Sequence, residues 1–186
     1  FRSRDMDDII TEAHELAESG VREIVLIAQD SANYGLDRYK KPMLPTLLRE
    51  LAKVDGISWI RVLYSYPKYF TDELIDVFAT EPKVVKYVDL PLQHAHDAVL
   101  RSMNRPDTRE GVEKLIKKLR EHIPGVAIRS TFIVGFPGET DTHYQALRSF
   151  VEEQRFDKVG IFTYSEEEDT PAAMMPYKVP EDVMQE

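Results

Sequence analysis

The sequence predicts an α/β fold in which parallel strands alternate with helices. Three observations carry this: short apolar runs rich in β-branched residues, helical periodicity in the stretches between them, and recurrence of that unit along all 186 residues. A chain of this length with 42% hydrophobic and 31% charged residues has the composition of one ordinary globular domain with a sizeable core.

The elements follow in order. Ile9, Ile10, Ala13, Leu16 and Ala17 recur at helical spacing, and Gly20 is a natural stop. Residues 23–28, Glu-Ile-Val-Leu-Ile-Ala, read as a strand apolar on both faces, as expected where helices cover one side and a packed interior the other. The unit then repeats as a helix near 44–54 and a strand near 59–64, then a helix at 71–80 and a strand near 85–90. Helical stretches near 97–103 and 109–122 precede a strand at 127–134, and a helix near 142–153 leads to a strand at 158–163. Parallel strands need helical crossovers, and right-handed crossovers give either a doubly wound sheet or a barrel; spacing alone does not choose.

In both architectures the chemistry sits where strands end. The exits here are Ala28-Gln29-Asp30, Tyr64-Ser65-Tyr66-Pro67, residues 89–94, residues 134–140 and Thr163-Tyr164-Ser165. Polar and aromatic groups following apolar runs suit a small-ligand pocket, although turn and cap roles explain each position taken singly. Gly135 and Gly138 permit close backbone approach, and Thr140 or Asp141 can cap the next helix. That turn lacks the lysine of a phosphate loop and the spacing of a dinucleotide fingerprint.

Other chemistries are excluded or weak. A net charge of −9 without any dominant Lys/Arg cluster argues against direct nucleic-acid binding, and no apolar run is long enough to span a bilayer, so a cytoplasmic setting is expected. The absence of cysteine removes disulfides, thiolate nucleophiles and thiolate metal ligands from these residues. No metal site is expected: His14, His122 and His143 lie on predicted helices without a partner one turn away, and His94 and His96 alternate and should point apart. Glu166, Glu167, Glu168 and Asp169 read as a solvated loop, Met174-Met175-Pro176 as packing or a turn, and Tyr64, Tyr66 and Tyr69 as either a stacking surface or rim packing.

Taken in order, the exits resemble the radical S-adenosylmethionine (SAM) core of the methylthiotransferases. The motifs are residues 27–35 (Ile-Ala-Gln-Asp-Ser-Ala-Asn-Tyr-Gly), 64–67 (Tyr-Ser-Tyr-Pro), 89–95 (Asp-Leu-Pro-Leu-Gln-His-Ala) with 100–105, 129–140 (Arg-Ser-Thr-Phe-Ile-Val-Gly-Phe-Pro-Gly-Glu-Thr), 162–165 and 179–183. The likeness runs over nearly the whole chain. Where the tRNA-modifying MiaB branch typically has Gly-Gln-Asn-Val-Asn, Ser-x-His-Pro and Gln-Ser-Gly-Ser, this chain has Ala28-Gln29-Asp30-Ser31, Tyr64-Ser65-Tyr66-Pro67 and Gln93-His94-Ala95-His96. All three resemble the RimO branch, whose substrate is an aspartate of a small-subunit ribosomal protein.

The resemblance implies a partial open (β/α) TIM-like barrel of the radical SAM type. It implies SAM and iron–sulfur clusters as cofactors, a 5′-deoxyadenosyl radical as hydrogen abstractor, and methylthio transfer as the outcome. By position, it places Gln29 and Asp30 at the amino end of SAM, Gln93 near the ribose, and Arg129 and Thr131 toward the carboxylate, a group Arg129 matches with two parallel donors. Gly135 and the Phe162 to Tyr164 backbone would border the adenine. The family's Cys-x-x-x-Cys-x-x-Cys loop is not among these residues, and neither are its N-terminal methylthiotransferase domain and its C-terminal TRAM domain. The chain is therefore expected to be an internal piece of a longer enzyme, inactive by itself, since a thiolate-held cluster cannot form without those ligands. A MiaB-type tRNA enzyme and a non-catalytic barrel scaffold are the alternatives.

Overall fold

In the computed structural model, which describes residues 2–185, the first helix forms where periodicity places it. α1 (Met6–Glu18) starts at Asp5, whose carboxylate accepts the Asp7 N–H at 3.0 Å and satisfies one of the amides a helix start leaves open. Gly20, at φ +96°, turns the chain into β1 (Glu23–Leu26). A short α2 (Leu36–Tyr39) precedes α3 (Leu44–Ala52), β2 (Trp59–Val62), α4 (Asp72–Thr80) and β3 (Tyr87–Gln93). Then come α5 (Asp97–Ser102), α6 (Arg109–His122), β4 (Ala127–Val134), α7 (Asp141–Gln154), β5 (Lys158–Thr163) and α8 (Glu181–Gln185). Among the described residues no helix is long and apolar enough to cross a membrane.

The chain divides into two compact units, residues 1–90 with 117–128, and residues 91–116 with 129–186. In the first unit β1 and β2 run parallel, in register from Glu23↔Trp59 to Leu26↔Val62, and Ile60 makes a further parallel bridge to Val84. α3 turns Leu44, Leu47, Leu48 and Leu51 inward at the i, i+3, i+4, i+7 spacing of a single helix face, and all are at most 3% exposed. Each such side chain contributes about 1.5–3 kcal/mol by leaving water. α4 is capped by Thr71, whose hydroxyl accepts the Leu74 N–H at 3.2 Å, and it adds Leu74, Ile75, Val77 and Phe78 to this core.

The expectation that the first strand is covered on both faces is not met. Val25 is 43% and Ile27 64% exposed. Both residues line an open cavity of about 620 Å³, so side chains do not fill the space over that part of the strand.

The second unit holds the parallel β4–β5 pair, in register from Arg129↔Lys158 to Val134↔Thr163, within a sheet of order β3-β4-β5. Burial alternates along β4: Ile128, Ser130 and Phe132 are buried, and Arg129, Thr131 and Ile133 occupy the opposite face with partial exposure. The Phe132 ring packs edge-on to Phe150 and Phe156, with centroids 6.3 and 5.7 Å away. The face of β4 that carries Phe132 is thus the packed one, and the Arg129–Thr131–Ile133 face is partly exposed.

Candidate functional site

At the exit of β1 the chain is tied down rather than left open. Asp30 accepts the Tyr66 N–H at 3.2 Å, Ser31 donates its N–H to the Tyr64 carbonyl at 2.8 Å, and the Ser31 hydroxyl donates to the Leu63 carbonyl at 2.6 Å. Tyr64 itself has φ +57°, a left-handed conformation uncommon for a bulky residue. Its N–H is held by the carboxylate of fully buried Asp89 at 3.0 Å, and the Asp89 carbonyl accepts the Ser65 N–H at 2.9 Å. The exits after β1 and β2 are therefore fastened to each other and to β3 by buried polar groups. Gln29, next to Asp30, is exposed.

The second unit contains a cavity of about 740 Å³ at the ends of its strands. Gln93, Thr131, Phe162 and Tyr164 line it, together with Arg105 and Phe136. Gln93 ends β3 at φ +70°. The Arg105 guanidinium donates to the Pro91 carbonyl at 3.0 Å and lies 3.6 Å from Asp107, anchoring the segment after α5 to that strand. Tyr164 is fixed by its backbone N–H to the Val134 carbonyl at 2.8 Å and by edge-on contact with Phe136 at 5.4 Å. Its hydroxyl is buried and has no hydrogen-bond partner among the described residues. A buried hydroxyl without a partner is costly.

The glycine turn beside this cavity is held by a carboxylate. Gly135, at φ +79°, and Phe136 both donate their N–H groups to one Glu139 oxygen, at 2.5 and 3.1 Å. The other Glu139 oxygen meets His94 Nε2 at 3.3 Å. A Cβ on Gly135 would displace the flexible Met184 side chain, and it is the backbone handedness that calls for glycine there.

Four of the eight expected site residues are thus brought together: Gln93, Thr131, Phe162 and Tyr164. Arg129 shares the Thr131 face of β4, one alternation earlier, and Gly135 lies in the adjoining turn. Gln29 and Asp30 belong to the other unit, where Asp30 borders a separate, mainly apolar cavity of about 620 Å³ against α1 and β1. The sequence reading missed Arg105, Glu139 and the role of His94. A glutamate closing the run Gly-Phe-Pro-Gly-Glu was the available signal. The His96 ring meets His143 at 4.3 Å in a tilted arrangement, while His94 meets Glu139.

A family model for the radical SAM superfamily matches residues 1–151. The chain belongs to the radical SAM superfamily. Among curated relatives, this radical SAM chain is 53% identical over 186 residues to the ribosomal protein uS12 methylthiotransferase RimO of Heliobacterium modesticaldum, covering 100% of the chain and 40% of that protein. It is 56% identical over 182 residues to the protein of the same name from Symbiobacterium thermophilum, covering 98% and 37%. The chain therefore spans about two fifths of the length of these relatives. Of solved structures, the radical SAM methyltransferase TsrM of Kitasatospora setae aligns with TM-score 0.68 at 19% identity, over 86% of this chain and 31% of that one. Coproporphyrinogen III oxidase of Escherichia coli aligns with TM-score 0.55 at 18% identity, over 88% and 39%. These likenesses show the radical SAM fold, here with parallel strands alternating with helices.

Proposed function

We propose that this chain is the SAM-binding core of a longer RimO-type enzyme that methylthiolates an aspartate of the small-subunit ribosomal protein uS12 in the cytoplasm. The observation that carries the reading is identity above 50% to uS12 methylthiotransferases along the whole chain. The local sequences at the first three strand exits, which side with RimO rather than with the tRNA-modifying branch, support it.

The residues present fit SAM. The cavity offers the Phe162 and Phe136 rings as apolar faces, the Gln93 amide and Thr131 hydroxyl as polar groups, and the Tyr164 hydroxyl as a buried atom awaiting a partner. Arg129, on the Thr131 face of β4, is suited to the carboxylate. When bound, SAM supplies the radical and methyl chemistry, while the protein binds and orients it and keeps water away. An iron–sulfur cluster does not fit this chain alone, which has no cysteine to ligate it. The proposal assigns those ligands, the methylthiotransferase domain and the TRAM domain to the rest of the enzyme.

Mass spectrometry of uS12 and of tRNA from a strain deleted for the gene tests the reading. Loss of the methylthio group from uS12 alone is the expected result, and its loss from tRNA alone would assign the chain to the tRNA-modifying branch instead.

A further inference from the structure

His94 and Glu139 lie 45 residues apart and are both shielded from solvent, with side-chain exposures of 0% and 5%. Histidine Nδ1 accepts the His96 backbone N–H at 2.9 Å. With Nδ1 acting as acceptor, a neutral imidazole carries its proton on Nε2, the nitrogen that faces Glu139 Oε1 at 3.3 Å. The ring is thus held in one tautomer by its own backbone and presents a single donor to the carboxylate. Glu139 uses its second oxygen for the Gly135 and Phe136 amides. The carboxylate is satisfied from both sides, as a buried anion requires.

Consequences follow along the chain from each end of this couple. Gln93, immediately before His94, is a cavity residue in a left-handed conformation, and Phe136, immediately after Gly135, is the ring that braces Tyr164. We infer that His94 is a positioning residue: its Nε2–H holds Glu139, Glu139 holds the Gly135–Phe136 turn, and the couple fixes two walls of the cavity relative to each other. The His96 Nδ1 likewise accepts a backbone N–H, that of Ala98 at 3.2 Å.

The inference rests on the proposed occupant only for its functional consequence, so the test has one readout with the cofactor and one without it. In the full-length, cluster-reconstituted protein, His94→Phe keeps a flat ring but removes the donor, whereas His94→Gln returns an N–H. Hydrogen exchange at the Gly135 and Phe136 amides is expected to accelerate about tenfold or more in His94→Phe and to recover in His94→Gln, in line with loss of a hydrogen bond to a charged group. Equilibrium dialysis with SAM is expected to show weaker binding by about tenfold in His94→Phe, with kcat at saturating SAM changed much less. Unchanged exchange at those two amides in His94→Phe overturns the inference, as does a His94→Gln protein as impaired as His94→Phe. Should His94→Phe not fold, Glu139→Ala, which removes the acceptor, is read in the same exchange experiment: wild-type exchange at both amides would also overturn it. A wild-type protein that binds no SAM would instead remove the proposed function, leaving the exchange result to judge the couple.

Discussion

The Asp89 carboxylate accepts the N–H of Tyr64 at 3.0 Å, and it does so where Tyr64 has a left-handed backbone. Asp89 is fully buried, so the bond is shielded from water, and the Asp89 carbonyl receives the next N–H, from Ser65, at 2.9 Å. One residue thereby sets both the conformation and the anchorage of the exit after β2. Replacing it leaves a buried amide without its acceptor. Asp89→Ala is expected to lower unfolding free energy by about 1–3 kcal/mol in a urea titration, and Asp89→Asn, which keeps an acceptor oxygen, by less.

The cluster of Phe132, Phe150 and Phe156 anchors β4 to its packed face. Phe132 is fully buried. Truncating it removes ring contacts and opens a void, so Phe132→Ala is expected to cost about 3–5 kcal/mol by the same measurement, and Phe132→Leu about half of that.

Burial first, and then the neighbouring His143 and His94 rings, hold the His96 imidazole below the ordinary histidine range, while Asp97 opposes them. The folded state thus disfavours the charged ring. Its contribution to stability is complete above the unfolded value of 6.5 and is lost as pH falls from there through the lower folded value. A nuclear magnetic resonance titration of the His96 ring protons is expected to give a midpoint below that of a free histidine, and His143→Ala should raise it.

The Tyr164 hydroxyl separates a packing role from a ligand role. Since it has no partner among the described residues, Tyr164→Phe is expected to leave the thermal midpoint unchanged or slightly raised. If the hydroxyl meets SAM, the same variant of the full-length protein binds SAM about two- to tenfold more weakly by dialysis. Equal affinity in variant and parent would take Tyr164 out of the binding site.

The strands and the long helices were legible because their signals are local. β-branched runs such as residues 127–134 and the four-leucine face of α3 announce themselves within one window. The turns at 31–33 and 171–174, and the short helices α2 and α8, hold too few residues for any period to show. The exposure of Val25 and Ile27 was invisible because it depends on what packs over them once the chain is folded. Strand exits pointed to Gln93, Thr131, Phe162 and Tyr164, yet the His94–Glu139 couple spans 45 residues and becomes a feature only once the fold brings its ends together. The same holds for the isolation of the Tyr164 hydroxyl, which is a property of its surroundings rather than of its residue type.

Gln93 and Tyr64 each turn the backbone to the hand that L-amino acids avoid, at a cost of about 1 kcal/mol or more per residue. Glycine would remove that cost at either place. A library randomised at position 93 and selected only for soluble, folded protein should drift toward glycine and asparagine. If Gln93 meets SAM as proposed, the same library carried in the full-length protein and selected for SAM binding should return glutamine. The gap between those two outcomes would measure, in populations rather than in ångströms, how much foldability is given up for the side chain at position 93.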